Sequence, residues 1–262
     1  MHTPILSIIT VCYNAGHVLP KTLESVLPQS FTCFEYLIID GGSTDDTLSL
    51  LKQASGRFAR RQISFRYISE PDQGIYDAMN KGTRAAKGTW LLFLNAGDLL
   101  AGPRILEQIF SEPSSGSVIY GDTLCVYQNK EKLYPALPLK NIIREMAFCH
   151  QSALIRRSLL LEQPYDTSYK ICADHHFFLS MYLKEKAFDY RPVPVSVYEI
   201  DGYSDRNKLT AHREQHRMQK ELHVFHPTMS WFLRECIFYA KQLVKFVGGQ
   251  KIIDFVRQKR LQ

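Results

Sequence analysis

The first hundred residues repeat one pattern, an apolar run followed by an amphipathic segment, and this repeat limits the folds that the chain can adopt. The apolar runs end near residues 12, 39, 68 and 94, so that successive ends lie 27, 29 and 26 residues apart. That spacing is the length of one strand, one helix and the loops between them. It predicts an α/β fold with a parallel, doubly wound sheet flanked by helices.

Hydrophobic periodicity places the elements of this first half. Strands are predicted at Ile5–Cys12, Phe34–Ile39, Ile63–Ile68 and Trp90–Leu94. One helix is predicted at Val18–Leu27, and a second one follows a cap at Thr44 or Asp45.

The second half has a less regular pattern. Strands are predicted near 118–122, 124–127 and 151–157, with a helix at 158–163. A further helix begins at Ala173 or Asp174, because apolar residues then follow at helical spacing.

Polar side chains follow all four strands of the first half, at the edge where ligands bind in parallel α/β sheets. They are Tyr13 and Asn14, then Asp40 to Asp45, then Glu70 and Asp72, and finally Asn95 and Asp98. Three of the four ends carry carboxylates, which repel a bare anion unless a cation bridges the two, and which accept hydrogen bonds from a sugar or a base. The sequence therefore predicts a site for a hydroxyl-rich ligand together with a divalent metal.

The basic charge of the chain is confined to its C-terminal part. Residues 1–204 hold 20 Lys and Arg against 21 Asp and Glu, whereas residues 205–262 hold 12 against 5. A nearly neutral main body argues against a nucleic-acid-binding surface, and the basic tail predicts an anionic partner of its own.

Residues 230–247 of this tail predict an amphipathic helix. Its apolar face carries Leu233, Ile237, Ala240, Val244 and Val247, and its basic face carries Arg234, Lys241 and Lys245. A shorter segment at 251–260 repeats the pattern. Helices of this kind lie in the plane of anionic membrane surfaces, so the tail predicts peripheral membrane binding. Packing on the main body or on a second subunit is the alternative.

Targeting segments and cysteine usage favour a cytoplasmic protein. The N-terminus has neither a basic leader nor a long apolar segment, and no run reaches the about 18 apolar residues of a spanning helix. Six cysteines never approach a C-x-x-C spacing, so they are interpreted as reduced core residues and a metal cluster is disfavoured.

Two other nucleotide-binding classes lack their motifs. A dinucleotide oxidoreductase needs G-x-G-x-x-G at the first turn, where this chain has CYNAGHV. The P-loop pattern G-x-x-x-x-G-K-[ST] occurs nowhere in the sequence.

Several segments, in this order, resemble the inverting family 2 glycosyltransferases, whose Rossmann-like domain is called the GT-A fold. They are ILSIITVCYN, TLESVLPQSFTCFEYLIIDGGSTDDT, EPDQGIYDAMNKGTRAAKGTWLLFLNAGD, and HQSALIRRS with ICADHHFFLSM. The resemblance implies a GT-A domain over 1–204, with a nucleotide-sugar-binding half at 1–100 and an acceptor half at 101–204, and a helical appendage at 205–262. It implies transfer from a nucleoside diphosphate sugar to an acceptor hydroxyl, with Mn²⁺ or Mg²⁺ on the diphosphate.

The resemblance also implies a donor site in the first half. Asp40 matches the position that hydrogen-bonds the base, and Tyr13 matches an aromatic residue beside it. Asp98 matches the metal-binding carboxylate of the family's D-x-D signature. Asp72 and Asn95, at neighbouring strand ends, complete the predicted donor-binding set. A helix cap for Asp40 and simple packing for Tyr13 are the alternatives.

The sequence departs from the family pattern at two positions. Gly97 stands where D-x-D has its preceding carboxylate, and the amide of Asn95 is a weaker ligand for a hard cation. Met79 stands where many relatives have an arginine near the nucleotide, and Lys81 or Arg84 is a candidate replacement.

Asp174 matches the family's general base, which takes the proton of the acceptor hydroxyl as that oxygen attacks the anomeric carbon. Its place in the first turn of a helix favours a negative charge, and capping is the alternative role. His175, His176, and His150 with Gln151 are candidates to orient an acceptor, or to serve the structure alone.

The predicted function is metal-dependent inverting sugar transfer in cell-surface polysaccharide or glycolipid synthesis, by a cytoplasmic enzyme able to lie on the inner face of the plasma membrane. The predicted partners are a nucleotide sugar, a sugar or lipid-linked acceptor, an anionic membrane and a second copy of the chain. An inactive relative that binds a nucleotide sugar or a partner protein is the alternative. A nucleotidyltransferase is disfavoured, because its glycine-rich, arginine-containing loop is absent.

Overall fold

The computed structural model describes residues 3–127, 130–199, 207–229, 232–240 and 242–244. The strands are β1 (Leu6–Cys12), β2 (Phe34–Asp40), β3 (Ser64–Ser69), β4 (Trp90–Phe93), β5 (Leu99–Leu100), β6 (Val118–Tyr127), β7 (Lys130–Tyr134), β8 (Ala153–Arg156) and β9 (Phe188–Glu199). The helices are α1 (Leu19–Val26), α2 (Thr47–Arg60), α3 (Ile75–Ala85), α4 (Ile105–Phe110), α5 (Arg157–Glu162), α6 (Ala173–Leu183) and α7 (Lys208–Glu221). Short 3₁₀ turns lie at Leu139–Ile143 and His150–Ser152, and residues 232–240 are helical.

The described strands form one sheet in the order β3-β2-β1-β4-β8-β6-β9-β5, with β7 paired to β6. Strands β3, β2, β1 and β4 are parallel, so the predicted repeat of strand and helix is confirmed. Every residue of β1 and β2 is buried, as expected for parallel strands that are covered on both faces.

Beyond β4 the sheet is mixed, so the parallel pairing predicted from the first half does not extend through the second half. Strand β8 runs antiparallel to both β4 and β6, whereas β6 and β9 are parallel. The pattern of apolar residues reports burial but carries no information on strand direction, so this half could not be oriented from periodicity.

The strands predicted at 118–122 and 124–127 are one strand, β6, and the strands β5, β7 and β9 were not predicted. The polar Asp122 is buried within β6, where its carboxylate accepts hydrogen bonds from Ala136 N at 2.9 Å and Tyr190 Oη at 2.8 Å. The register of β6 against β9 shifts at this point, as in a β-bulge. A satisfied polar residue thus continues the strand instead of ending it.

Two apolar clusters pack on opposite faces of the sheet. One includes the inner faces of α3, α5 and α6, and the other includes those of α1, α2 and α4. Helix α3 lies so close to β1 that a Cβ on Gly82 would be 2.7 Å from Ile9 Cγ2. Glycine at this position therefore sets the distance between α3 and the sheet.

Helix α7 packs against the segment that leads into α6. Its Met218 is fully buried in the core on the α3, α5 and α6 side. The Glu214 carboxylate accepts hydrogen bonds from the backbone N–H groups of Lys170, Ile171 and Cys172, at 2.8, 2.9 and 3.0 Å. The start of α6 is thereby held from outside by a residue that the sequence analysis did not single out.

Three predictions outside the sheet have separate outcomes. Among the described residues, no helix combines the length and the apolar character that crossing a bilayer requires. All six cysteines are free thiols; Cys12 and Cys172 are buried as expected, whereas the core prediction is wrong for the exposed Cys236. Val247, Lys241, Lys245 and the segment 251–260 lie outside the described residues.

Candidate active site

A cleft of about 830 Å³ opens at the carboxyl ends of β1 and β4 and extends to the first turn of α6. Of the six residues predicted for the site, Tyr13, Asn95, Asp98 and Asp174 line this cleft. Asp40 and Asp72 lie beside it without lining it. The ring of Tyr13 is 63% exposed, so one of its faces is available to a planar ligand.

The Asp40 carboxylate is fully buried and holds the loop after β2. It accepts hydrogen bonds from Gly42 N, Ser43 N and Ser69 Oγ, at 3.2, 2.9 and 2.6 Å, and from Ser43 Oγ. Burial raises the pKa of Asp40, but the bonds from Ser43 and Ser69 outweigh it, so that the pKa lies below its usual value. The stability it contributes is complete above the unfolded-state pKa of about 3.9 and is lost as the pH falls through the lower folded value.

The neighbouring turns are held in the same way. Asp72 Oδ1 accepts a hydrogen bond from Gly74 N at 2.8 Å, and its other oxygen lies where a Cβ on Gly41 would stand. Asp45 accepts from Thr47 N at 3.0 Å and Gly16 N at 2.9 Å, while Asp46, at the N-cap of α2, makes no side-chain cap bond. The cap predicted at Thr44 or Asp45 therefore acts from Asp45, one residue before the N-cap. Base recognition by Asp40 and donor binding by Asp72 stay predictions.

Asp98 is held by a short chain of side-chain hydrogen bonds. Burial, with a contribution from the Asp98 charge, raises the pKa of the Cys149 thiol to about 12, so that the thiol keeps its proton. Cys149 Sγ donates to Gln151 Oε1 at 2.8 Å, which leaves Gln151 Nε2 to donate to Asp98 Oδ2 at 2.9 Å. The acceptor role of Gln151 Oε1 fixes the amide orientation that Asp98 requires.

The loop between β4 and β5 explains the departure from D-x-D. Gly97 has φ = +104°, a conformation that a residue with a Cβ rarely adopts, so an aspartate there would be strained. Asn95 Oδ1 is buried and has no hydrogen-bond partner among the described residues. Turning this oxygen into the cleft costs no hydrogen bond. With the Asp98 carboxylate it would give a hard cation two oxygen ligands, which suits an ion whose other ligands are phosphate oxygens and water.

The position of Met79 has a clear consequence for the charge of the cleft. Met79 lines the cleft, whereas Lys81 pairs with Glu70 at 3.0 Å outside it, and Arg84 does not line it. Lys21 and Lys170 contribute the lysine side chains of the described lining. Neither Lys81 nor Arg84 therefore replaces the arginine that Met79 lacks, and Lys21 and Lys170 supply the positive charge of the cleft instead.

Asp174 is positioned by two elements that lie far apart in the sequence. Its Oδ1 accepts hydrogen bonds from Tyr76 Oη at 3.0 Å and from His175 N at 2.8 Å, and its Oδ2 lies 4.0 Å from His150 Nδ1. Burial and the Asp174 charge raise the pKa of Tyr76 well above its usual value, so the phenol stays a donor. Burial lowers the pKa of His150 against the effect of Asp174, so the imidazole is neutral at neutral pH.

The histidines have different places. His150 lines the cleft beside Gln151, and its Nε2 lies 2.9 Å from Tyr165 Oη. His175 is buried, with its Nε2 2.7 Å from Ile142 O, and His176 stacks on Tyr169. The suggestion that His175 or His176 orients an acceptor has no support in this geometry, because neither lines the cleft.

Sequence reasoning missed Tyr76 and Lys21 in the lining. Tyr76 stands inside the EPDQGIYDAMNKG segment, in the first turn of α3, so its motif was the available signal. No sequence pattern pointed to Lys21, because a single lysine on a helix is expected to be a solvated surface residue. Its Cε would lie 3.8 Å from a Cβ on Gly97, which places it beside Asp98.

The cleft, with its exposed aromatic ring and two carboxylates, lies at the carboxyl ends of parallel strands, where α/β enzymes bind their ligands. The sequence profile of the family described as Glycosyl transferase family 2 matches residues 7–163. A PGL/p-HBAD biosynthesis glycosyltransferase of Mycobacterium bovis (strain BCG / Pasteur 1173P2) is 36% identical over 181 residues, covering 68% of this chain and 69% of that protein. The chain belongs to glycosyl transferase family 2.

Two further similarities concern a curated protein and a solved structure. An uncharacterized glycosyltransferase of Mycobacterium tuberculosis (strain ATCC 25618 / H37Rv) is 32% identical over 185 residues, covering 67% of this chain and 68% of that protein. The mannosyltransferase PcManGT from Pyrobaculum calidifontis, solved with GDP-Man and Mn²⁺, has a TM-score of 0.63 at 18% identity and covers 88% of this chain and 67% of that one.

The crystal structure of S. aureus TarS 1-349 with UDP has a TM-score of 0.61 at 18% identity. It covers 82% of this chain, which spans 64% of the TarS chain. These structural similarities show the GT-A fold, and the family membership makes the protein a glycosyltransferase. Family membership therefore favours a glycosyltransferase over the nucleotidyltransferase alternative.

Proposed function

We propose that this enzyme transfers a sugar from a nucleoside diphosphate sugar to an acceptor hydroxyl with inversion at the anomeric carbon. The observation that supports this most is the placement of Asp98 and Asp174 in one cleft, joined through the adjacent residues His150 and Gln151. Gln151 contacts the first carboxylate and His150 approaches the second. One turn therefore sets the relation between a donor-side and an acceptor-side carboxylate.

Asp174 is proposed as the general base. Tyr76 and the His175 N–H occupy Oδ1, so that Oδ2 is the oxygen that would take the proton of an acceptor hydroxyl. Neutral His150 adds no positive charge that would oppose proton uptake by the carboxylate. The acceptor would thus enter between Asp174 and the donor sugar, on the face opposite the leaving nucleotide.

Asp98 is proposed to hold a divalent cation, with Asn95 as a second oxygen ligand. A bound cation would offset charge on the leaving diphosphate. Lys21 beside Gly97 would contribute to the same end as a fixed positive charge. The complexes of PcManGT with GDP-Man and Mn²⁺, and of TarS with UDP-GlcNAc, give the chemical class of the donor to be tested.

The acceptor is proposed to belong to glycolipid or cell-surface polysaccharide synthesis, since the mycobacterial relative is named for PGL/p-HBAD biosynthesis. Family members that synthesise long polymers carry a Q-x-x-R-W motif. This chain contains no such motif, so single additions are proposed in place of polymer synthesis.

A turnover assay tests this function. The purified chain is incubated with a panel of nucleotide sugars and Mn²⁺ or Mg²⁺, and released nucleoside diphosphate is measured with and without acceptor. We expect release with at least one donor, and its loss when EDTA removes the metal. Donor binding without any release across the panel would instead support the inactive relative as the correct alternative. If EDTA leaves the release of nucleoside diphosphate unchanged, the proposed metal requirement is wrong.

The C-terminal helical stretch is proposed to dock on an anionic membrane on the cytoplasmic side. Leu233, Ile237 and Val244, predicted for its apolar face, are all exposed in the structure. Each such side chain is worth about 1.5–3 kcal/mol when buried, or roughly tenfold or more in binding.

Replacing Leu233 and Ile237 by glutamate is therefore expected to abolish cosedimentation with vesicles that contain anionic lipid. Leu161→Glu, at an exposed leucine of α5, is the matched control and should bind as the unaltered chain does. Equal partition of both variants would contradict the membrane contact. If the unaltered chain sediments as a dimer in the absence of vesicles and the glutamate variant does not, a second copy of the chain would be the partner of this face.

A further inference from the structure

Three side chains of the C-terminal region converge away from the cleft. His212 and His216 come from α7, and Glu235 comes from the helical stretch 232–240. His212 Nε2 lies 2.9 Å from Glu235 Oε2, His216 Nε2 lies 3.2 Å from Glu235 Oε1, and the two Nε2 atoms are 3.1 Å apart. The three side chains are 14%, 21% and 17% exposed, so the group is largely screened from water.

Local structure fixes the two rings. His212 and His216 stand four residues apart on one helix, so their side chains lie on the same face. The His212 ring stacks on Phe238 with centroids 3.9 Å apart and planes at 16°. Phe225 contacts the His216 ring edge-on at 5.9 Å. The apolar rings hold the imidazoles with both Nε2 atoms toward Glu235.

Hydrogen bonds alone cannot satisfy this triangle while Glu235 is ionised. A neutral imidazole carries one N–H, and an ionised carboxylate only accepts. If both histidines donate from Nε2 to Glu235, two N–H groups face each other across 3.1 Å. If one Nε2 is unprotonated, its lone pair faces a carboxylate oxygen. In each case one edge of the triangle is repulsive.

We propose that these three residues bind a divalent cation of the zinc class. A cation between the atoms would accept all three lone pairs at once. Zinc bonds to His and Glu of about 2.0–2.2 Å in a tetrahedron place neighbouring ligand atoms about 3.3–3.6 Å apart. The observed separations of 2.9, 3.2 and 3.1 Å lie about 0.1–0.4 Å below the lower end of that range, so small side-chain shifts would admit the ion. Two imidazoles and one carboxylate favour zinc over Mg²⁺ or Ca²⁺, which prefer all-oxygen ligands.

Such a site would connect the C-terminal helical stretch to the catalytic domain. The ligands on α7 flank Glu214, which holds the backbone of 170–172 before α6 and Asp174. Zinc at this place is a structural cross-link and takes no part in donor binding. It differs in ligands and position from the cation proposed at Asp98.

Zinc binding by the full chain without a polyhistidine tag tests the proposal. After dialysis against zinc and then buffer, we expect about one equivalent of zinc per chain by elemental analysis. Replacement with Co²⁺ should give the visible absorption of a tetrahedral site. Mutation of residues that only contact the metal ligands lowers metal affinity by about tenfold or more. Loss of a direct ligand should cost at least as much, so His212→Ala and His216→Ala should lose the metal.

Matched variants separate a site from damage to the fold. Glu235→Gln keeps the size of the side chain but removes its charge, and should lose zinc with an unchanged helical circular-dichroism signal. His226→Ala, at an exposed histidine outside the group, and Asp98→Asn, at the donor cleft, should keep zinc. The proposal is overturned if the unaltered chain takes up no zinc at micromolar concentration, or if Glu235→Gln and His212→Ala bind it as tightly as the unaltered chain.

Discussion

Asp174→Asn is expected to lower the rate of sugar transfer by about 10²- to 10⁴-fold, the contribution of a positioned general base. The amide cannot take up the acceptor proton at neutral pH. Its oxygen can still accept the hydrogen bonds that Tyr76 Oη and His175 N give to Asp174 Oδ1, so the first turn of α6 should keep its structure. A single-turnover experiment measures the rate constant of sugar transfer, and calorimetry measures the donor Kd. Together they separate the chemical step from binding.

Donor affinity should stay within about twofold in this variant, because Asp174 contributes to the reaction and not to ground-state binding of the donor. Asp166→Asn is the matched control: this carboxylate bonds Ser168 N at 2.9 Å in the loop before α6 and does not line the cleft. Transfer that survives in Asp174→Asn at the unaltered rate would show that another group takes the proton.

Asp98→Asn is expected to remove metal-dependent turnover. A cation supplies several kcal/mol of stabilisation to the leaving diphosphate, so the loss should be at least about a hundredfold at 1.36 kcal/mol per tenfold. The amide keeps an oxygen for Gln151 Nε2, which now contacts Asp98 Oδ2 at 2.9 Å, so the loop should stay in place. Donor binding titrated with and without Mn²⁺ measures the effect directly, and the metal-dependent increment should vanish.

Asn95→Asp gives the opposite test at the same site. A second carboxylate should lower the metal concentration that gives half-maximal turnover, because hard cations bind carboxylates more tightly than amides. Asp46→Asn, at an exposed residue whose side chain makes no cap bond, is the control for the loss of a carboxylate in Asp98→Asn. An unchanged metal dependence in both Asp98→Asn and Asn95→Asp would place the cation elsewhere.

The sequence predicted the sheet edge of the site better than the site itself. Tyr13, Asn95 and Asp98 all stand at strand ends and all line the cleft. Asp40 also stands at a strand end, yet its carboxylate is buried under hydrogen bonds from the loop that follows. A strand end places a residue near the cleft, but the loop geometry decides which way the side chain points.

The fold gives the departures at Gly97 and Met79 different consequences: the first concerns the backbone conformation of a loop, and the second concerns the charge of the cleft. Gly97 has a positive φ, which favours glycine, so a carboxylate at this position would strain the loop. Met79 adds no charge to the cleft. The formal positive charges of Lys21 and Lys170 there equal in number the negative charges of Asp98 and Asp174. The expectation of an acidic site came from counting carboxylates at strand ends, and four of these, Asp40, Asp45, Glu70 and Asp72, do not line the cleft.

The sequence by itself determined the repeat of strand and helix, the parallel half of the sheet, the edge at which the cleft opens and the family. These follow from periodicities of a few residues and from ordered motifs, which act along the chain. The tertiary structure alone decided which groups meet: Ser69 with Asp40 across 29 residues, Gln151 with Asp98 across 53, and Tyr76 with Asp174 across 98. No local pattern encodes such pairs, because the packing of the whole core brings their elements within hydrogen-bonding distance.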